Sequence, residues 1–269
     1  MAEIMIKAAG FVFVIIIAFI LKQVHVLEKR DGLTIATIII MLFISFILSR
    51  KEENILKGYY MINCSGYNIG NFVMPFVQSF FPGMGVAYLC MFDVGNSIMC
   101  LGGSYALAGS VASSNQKLTP KTVIKKLFSS IPFDVYLLIF VLALFKISIP
   151  QPILSMASFI GAGNGFLAMF MIGLLLEVKI NPSEMKIVLK TLLIRVLFGA
   201  ILMSIVYFIV PIPMLAKKIV VLAMAAPITT VSAVFSKNIG YHRDAPAISS
   251  SLSIIISIAV LVVLIIMFA

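Results

Sequence analysis

The sequence predicts an all-α polytopic membrane protein of transporter type, built as two halves of similar pattern with one broken helix in each. Three observations predict it. The 269 residues are 62% hydrophobic and 11% charged, with a mean hydropathy of +1.16, whereas soluble domains run nearer half apolar and a quarter charged. The apolar residues gather into runs approaching the roughly 20 residues that a spanning helix needs. Two of those runs carry a proline among small or hydrogen-bonding residues, at Asn68–Pro75 and at Ala225–Thr230.

Taken in order, the first half contains the runs Ala8–Leu21, Leu33–Leu48, Tyr59–Phe81 and, after a tight Pro82–Gly83 turn, Met84–Leu107. A polar, basic stretch, Ser113–Lys126, follows. The second half contains Phe133–Phe145, Ile153–Leu176, Ile187–Val210, Met214–Phe235 and Pro246–Phe268. The start has no small-residue cleavage site, so the first run reads as a retained span. The chain therefore divides into a first repeat (1–112), a basic cytoplasmic linker (113–131) and a second repeat (132–269). The second repeat has five segments with the broken one fourth. The first has four with the broken one third, so it is about one helix-equivalent short. The repeat is one of pattern, since residue-level similarity between the halves is weak.

Charge bears on the same point. The net charge of +10 comes from loops between apolar runs, where the positive-inside rule places basic residues. That argues against a nucleic-acid partner and places the Ser113–Lys126 loop in the cytoplasm and the C-terminus outside. The conflict is local, because Lys29–Arg30 and Arg50–Lys51 flank opposite ends of Leu33–Leu48. An even number of crossings there would sort the charges more cleanly, yet sixteen residues cannot cross twice. A junction near Ile40–Met41, where one span's start runs into another's end, would account for both facts. Cys64, Cys90 and Cys100 fall in or beside apolar segments and read as small buried hydrophobes. No metal-ligand spacing, phosphate-binding loop or nucleophile set occurs in the spans, so neither an enzyme nor a cofactor is expected.

The breaks carry the chemistry. Proline inside a helix removes a donor and displaces the carbonyl four residues back, and in hydrocarbon that carbonyl must find a partner within the protein. Asn68 and Asn71 can satisfy such carbonyls, or can face an anionic ligand together with nearby helix N-termini. Paired breaks of this kind point to a carrier's binding site. Pro75, Pro227, Thr229 and Thr230 belong to the same candidate site, and Asn164, between Gly163 and Gly165, can line its path. Asp93 is the acidic residue deepest in any span and should face the protein interior. It lies about as far after the Pro82–Gly83 turn as Pro75 lies before it, and with Asn96 it is the candidate for coupling. Arg195 either snorkels to a headgroup or pairs with Asp93 or with substrate. Ser249, Ser250, Ser251, Ser253 and Ser257 give the last helix a polar flank.

Asn68-x6-Pro75, Phe92–Ser97, Gly163–Met169 with Ile172–Gly173, and Pro227 followed by Ser249–Ser253 together resemble the auxin efflux carrier family, from about Lys57 to the C-terminus. The resemblance implies ten helices in two inverted five-helix repeats, with the fourth and ninth broken and crossing at their prolines. It also implies secondary transport of small organic anions, such as dicarboxylates in bacteria and auxin in plants. Two positions depart from the family pattern. Val73 stands where the family has glycine, and Thr229, Thr230 and Ser232 stand where amides are common, so substrate identity stays open. The expectation is a multi-pass permease of the plasma membrane that moves a small organic anion by alternating access, driven by protons or sodium. A sodium- or proton-coupled carrier of another substrate, or a non-transporting membrane remnant, are the alternatives. Pairing as a homodimer is left open.

Overall fold

The computed structural model describes residues 32–112, 131–175 and 181–268. The run Ala8–Leu21 and the linker Ser113–Lys126 lie outside them. Helices α1 (Gly32–Leu48) and α2 (Asn54–Ser65) come first. A π-helical turn over Ile69–Val73 leads directly into α3 (Met74–Phe80). Helix α4 (Met84–Ile98) continues through a second π-helical turn, Met99–Gly103, into α5 (Ser104–Val111). Then come α6 (Ile131–Leu144), α7 (Gln151–Ala162) and α8 (Asn164–Leu175), the last two separated only by Gly163. Helix α9 (Met185–Phe208), the pair α10 (Met214–Met224) and α11 (Ser232–Asn238), and α12 (Ala245–Phe268) complete the described chain.

This is an all-α integral membrane protein. Four helices among the described residues are long and apolar enough to cross a bilayer: Met84–Val111, Gln151–Met171, Met185–Phe208 and Ala245–Phe268. Helix α1 runs unbroken through Ile40–Met41, so this segment makes one crossing at most, and the cleaner charge count for an even number has no counterpart here. The run expected over Tyr59–Phe81 starts earlier, at Asn54, and splits after Ser65. The run over Met214–Phe235 splits after Met224.

In lipid, side chains gain little from leaving the solvent, and small residues let backbones approach for close packing. Gly58 illustrates this. A methyl added there would lie 2.7 Å from Ile239 Cδ1 and 2.9 Å from the Ala108 carbonyl oxygen. Glycine in α2, with Ala108 and Ala112 four apart on α5, thus brings the two helices into backbone contact. The turn after α3 depends on glycine for another reason. Gly83 has φ +70°, a conformation that L side chains rarely adopt.

On the side where α1 and α11 end, a polar and aromatic layer joins three loops. Lys190 Nζ reaches Glu52 Oε1 at 2.6 Å. Tyr241 donates to Glu184 Oε2 at 2.9 Å, Arg243 stands 3.5 Å from Glu184 Oε1, and the Tyr241 ring stacks on Tyr59 with centroids 4.6 Å apart. Burial, and then the Glu184 carboxylate, push the Tyr241 phenol well above its ordinary range, so it stays a donor.

Candidate functional site

The two interrupted helices meet. Tyr67 and Ile228 form an isolated antiparallel bridge, and the Asn68 amide donates to the Pro227 carbonyl at 3.0 Å. Each segment is held from the long helix that follows its own break. On α4, Asn96 Nδ2 donates to the Tyr67 carbonyl at 2.8 Å, and the Tyr67 amide donates to Asn96 Oδ1 at 3.2 Å. On α12, Ser253 Oγ accepts from the Ile228 amide at 3.0 Å and donates to the Ser250 carbonyl at 2.7 Å. Backbone groups stranded by the breaks are thereby satisfied inside the protein, as hydrocarbon demands.

Close approach fixes the residue type at the first break. A methyl at Gly66 would meet Thr229 Cγ2 at 2.7 Å and Cys100 Sγ at 3.1 Å. Helix α2 stops because the next residues are recruited into pairing with the other break and with Asn96. Proline does not stop it. Pro75 is the second residue of α3, and because the π-helical turn runs straight into α3 it sits inside a continuous helical stretch, where its missing donor leaves one earlier carbonyl without a helical bond. The π-helical turn before it uses a longer step, with the Met74 amide bonding the Ile69 carbonyl. The interruption of the helix therefore lies at Gly66–Asn68, at the N-terminal end of the expected stretch Asn68–Pro75. The second break, between α10 and α11, does contain Pro227.

Arg195, near the middle of α9, binds both broken ends. Its Nη1 reaches the Cys64 carbonyl at 3.1 Å and the Asn63 carbonyl at 3.4 Å. Its Nη2 reaches the Ala226 carbonyl at 2.9 Å and the Pro227 carbonyl at 3.1 Å. The guanidinium lies 4.7 Å from the Tyr67 ring centroid, a cation–π distance. The carbonyls of Asn63 and Cys64 belong to the C-terminal end of α2, where a helix is short of donors and partially negative, and those of Ala226 and Pro227 to the break just past α10. Arginine's planar fork suits a cluster of acceptors better than a point charge does. Arg195 is buried, so snorkelling, one of its two expected roles, is corrected.

The polar side chains expected at the site divide into two groups. Asn96 and the Pro227 carbonyl are committed to the framework just described. Asn68 is buried while Asn71 and Thr230 are exposed and Thr229 is intermediate. None of these four side chains hydrogen-bonds a carbonyl among the described residues, so the asparagines do not serve as partners for carbonyls freed by Pro75. Asp93 is buried. Its Oδ1 accepts from Asn96 Nδ2 at 3.3 Å, and a methyl at Gly70 would sit 3.9 Å from its Oδ2. Asp93 thus faces the π-helical turn just after the first break, at Gly70, five residues before Pro75. Asn164 is exposed at the start of α8. Its neighbour Gly165 faces Pro75, with an added methyl 3.8 Å from Pro75 Cβ.

Two positions that hold the crossing together escaped the sequence. Tyr67 supplies the bridge, the ring under Arg195 and a buried hydroxyl with no partner among the described residues. Asn63 donates to the Tyr59 carbonyl at 2.9 Å and to Ser236 Oγ at 3.0 Å, tying α2 to α11. A tyrosine and an asparagine in an apolar run carry no local signal of such pairing. Among the described residues, no group of His, Cys, Asp and Glu could hold a metal ion. No family model, curated protein or solved structure matches this chain.

Proposed function

We propose that the chain is a secondary transporter of a small organic anion, working by alternating access around the two breaks. The observation that carries this reading is the set of unspent polar side chains at the meeting point of the interrupted helices. Asn68, Asn71, Thr229 and Thr230 belong to the interrupted segments, their side chains bond no carbonyl among the described residues, and Asn71 and Thr230 are exposed. Polar side chains left open on interrupted helices suit a ligand that takes up their hydrogen bonds. Asp93, next to the first break, is the group to carry a coupling proton.

The order of elements supports an inverted repeat. Helix α1, the interrupted α2–α3 and the long α4–α5 correspond to α9, the interrupted α10–α11 and α12. The two series run in opposite directions, since α1 ends on the side where α9 begins. Basic residues favour that side as the cytoplasmic one, with Arg50, Lys51, Lys186, Lys237 and Arg243 near it. The plasma membrane is the location that fits a carrier of external anions.

A counterflow assay in proteoliposomes, with a panel of labelled carboxylates, tests the reading. Transient accumulation of at least one carboxylate above the level of empty liposomes is the expected result. No accumulation of any member, from protein that remains folded in the bilayer, would refute it.

A further inference from the structure

A groove of about 450 Å³ runs along the outer face of α9, beside the end of α1. Leu48, Leu189, Leu193 and Leu197 give it apolar walls, and Lys186 and Lys190 line it as well. The four leucines are 43% to 58% exposed, so the groove opens outward from a helix long and apolar enough to span a bilayer. Positions 186, 189, 190, 193 and 197 recur at helical spacing and make one stripe of α9. Both lysines stand in its first two turns. From Lys186 to Leu197 the stripe rises about 16 Å at ~1.5 Å per residue, the depth of one leaflet of a hydrocarbon core roughly 30 Å thick.

The two lysines differ in what they have left to offer. Lys190 Nζ is held by Glu52 Oε1 at 2.6 Å and stands 4.9 Å from the Tyr60 ring centroid. Lys186 is exposed and has no ion pair among the described residues. Arg50 and Lys51 precede Glu52 in the loop that Lys190 reaches, and both are exposed. The acidic residues of that loop are Glu52, spent on Lys190, and Glu53. Glu184, at the start of α9, is engaged by Tyr241 and Arg243. The polar end of the groove therefore carries an excess of positive charge, with Lys186 free.

We infer that this groove binds an anionic phospholipid of the leaflet in which α9 begins, with the headgroup phosphate on Lys186 and an acyl chain along Leu189, Leu193 and Leu197. Apolar walls alone would accept any lipid tail. Charge makes the choice. Basic residues beside a spanning helix attract anionic lipids, and a lysine at a helix end can extend its ammonium to the headgroup level while its stem covers apolar surface. Phosphatidylcholine also has a phosphate, but its own cation offsets the charge. The position sets the consequence. Lys190 lines the groove and holds the loop that leads into α2, so a lipid seated there braces the entry to the helix that ends at the first break. The inference goes beyond transport and does not rest on it.

The test uses a property of the sequence. The chain has no tryptophan, so Leu193→Trp places a single reporter in the groove. The full-length variant is reconstituted in bilayers that mix ordinary phosphatidylcholine with either phosphatidylglycerol or phosphatidylcholine brominated on the acyl chains, since bromine quenches tryptophan on contact. A basic residue near an anionic lipid is worth about fivefold in affinity, so phosphatidylglycerol should be preferred by about that factor. Lys186→Gln in the same background should bring the preference below about twofold, and Lys186→Arg should keep it. Equal quenching by the two lipids would leave the groove an ordinary lipid contact and overturn the inference. So would a preference that Lys186→Gln leaves unchanged, or no quenching by either lipid, which would mean that protein covers the groove.

Discussion

Asn96 grips the backbone of Tyr67 from both directions, giving a donor to its carbonyl at 2.8 Å and taking one from its amide at 3.2 Å. A carboxamide has the donor and acceptor geometry of a peptide group, so Asn96 acts as a one-residue strand beside the break. Ser253 does half of this at the other break, accepting from Ile228 alone. Asn96→Ala should therefore strand two buried backbone groups, each worth about 1–3 kcal/mol when left unpaired. Ser253→Ala strands one. Unfolding in detergent should show a loss for Asn96→Ala roughly twice that for Ser253→Ala. Wild-type stability in Asn96→Ala would mean that the pairing of the breaks holds without the clamp.

The approach of Gly66 to Thr229 makes a second prediction. Gly66→Ala drives a methyl to within 2.7 Å of Thr229 Cγ2, and a β-branched side chain cannot turn away freely. Overpacking of this kind typically costs about 1–3 kcal/mol. Thr229→Ser removes the opposing methyl, so the double variant should recover part of the loss, with Cys100 Sγ at 3.1 Å accounting for the remainder. A double-mutant cycle should give a coupling of at least about 0.5 kcal/mol. Additive losses would separate the two residues in the membrane.

The two prolines should not behave alike. Pro75 lies within the continuous helical stretch Ile69–Phe80 and outside the break, so Pro75→Ala adds one helical donor without moving the break. Its effect on stability and on transport should be small. Pro227 lies in the second break, and alanine there offers the Ala223 carbonyl an i→i−4 donor that would extend α10 past Met224. That extension would pull the Pro227 carbonyl position away from Asn68 and Arg195, which it accepts from at 3.0 and 3.1 Å. Transport by Pro227→Ala should fall at least tenfold while that by Pro75→Ala stays within twofold. The opposite order would return the first break to Pro75.

Most of the architecture is legible because long apolar runs and the punctuation between them are local signals. The runs starting at Met84, Ile187 and Pro246 match α4–α5, α9 and α12 within a few residues. The location of the first break is not local. Asn68 and Pro75 mark the neighbourhood, but the stop at Ser65 follows from contacts with residues 96 and 227, far along the chain. Arg195 shows the same limit. A lone arginine in an apolar run resembles a snorkelling residue at the sequence level, and its real partners are backbone carbonyls, which every residue type provides equally. Counting from the Pro82–Gly83 turn sets Asp93 level with Pro75, and the structure sets it level with Gly70, little more than one helical turn away.

Asp93 remains the residue on which coupling turns. It faces Gly70 and accepts from Asn96 at 3.3 Å, so it lies beside the turn that follows the first break and bonds the residue that clamps that break. A carboxylate buried in a span is costly in its charged form, and a hydrogen-bond donor from Asn96 offsets part of that cost. Asp93→Asn keeps the shape and an acceptor for Asn96 while removing the titrating group. If Asp93 carries the coupling proton, the variant should lose accumulation driven by an imposed pH gradient, by at least tenfold. It should retain exchange of internal for external substrate, since exchange needs no net proton movement. Stability in detergent should change by less than the loss in Asn96→Ala, because the backbone clamp on Tyr67 is intact. Gradient-driven accumulation at the wild-type level in Asp93→Asn would leave Asp93 a packing partner of Asn96. Loss of exchange together with accumulation would make it a residue of the substrate path and not the proton carrier.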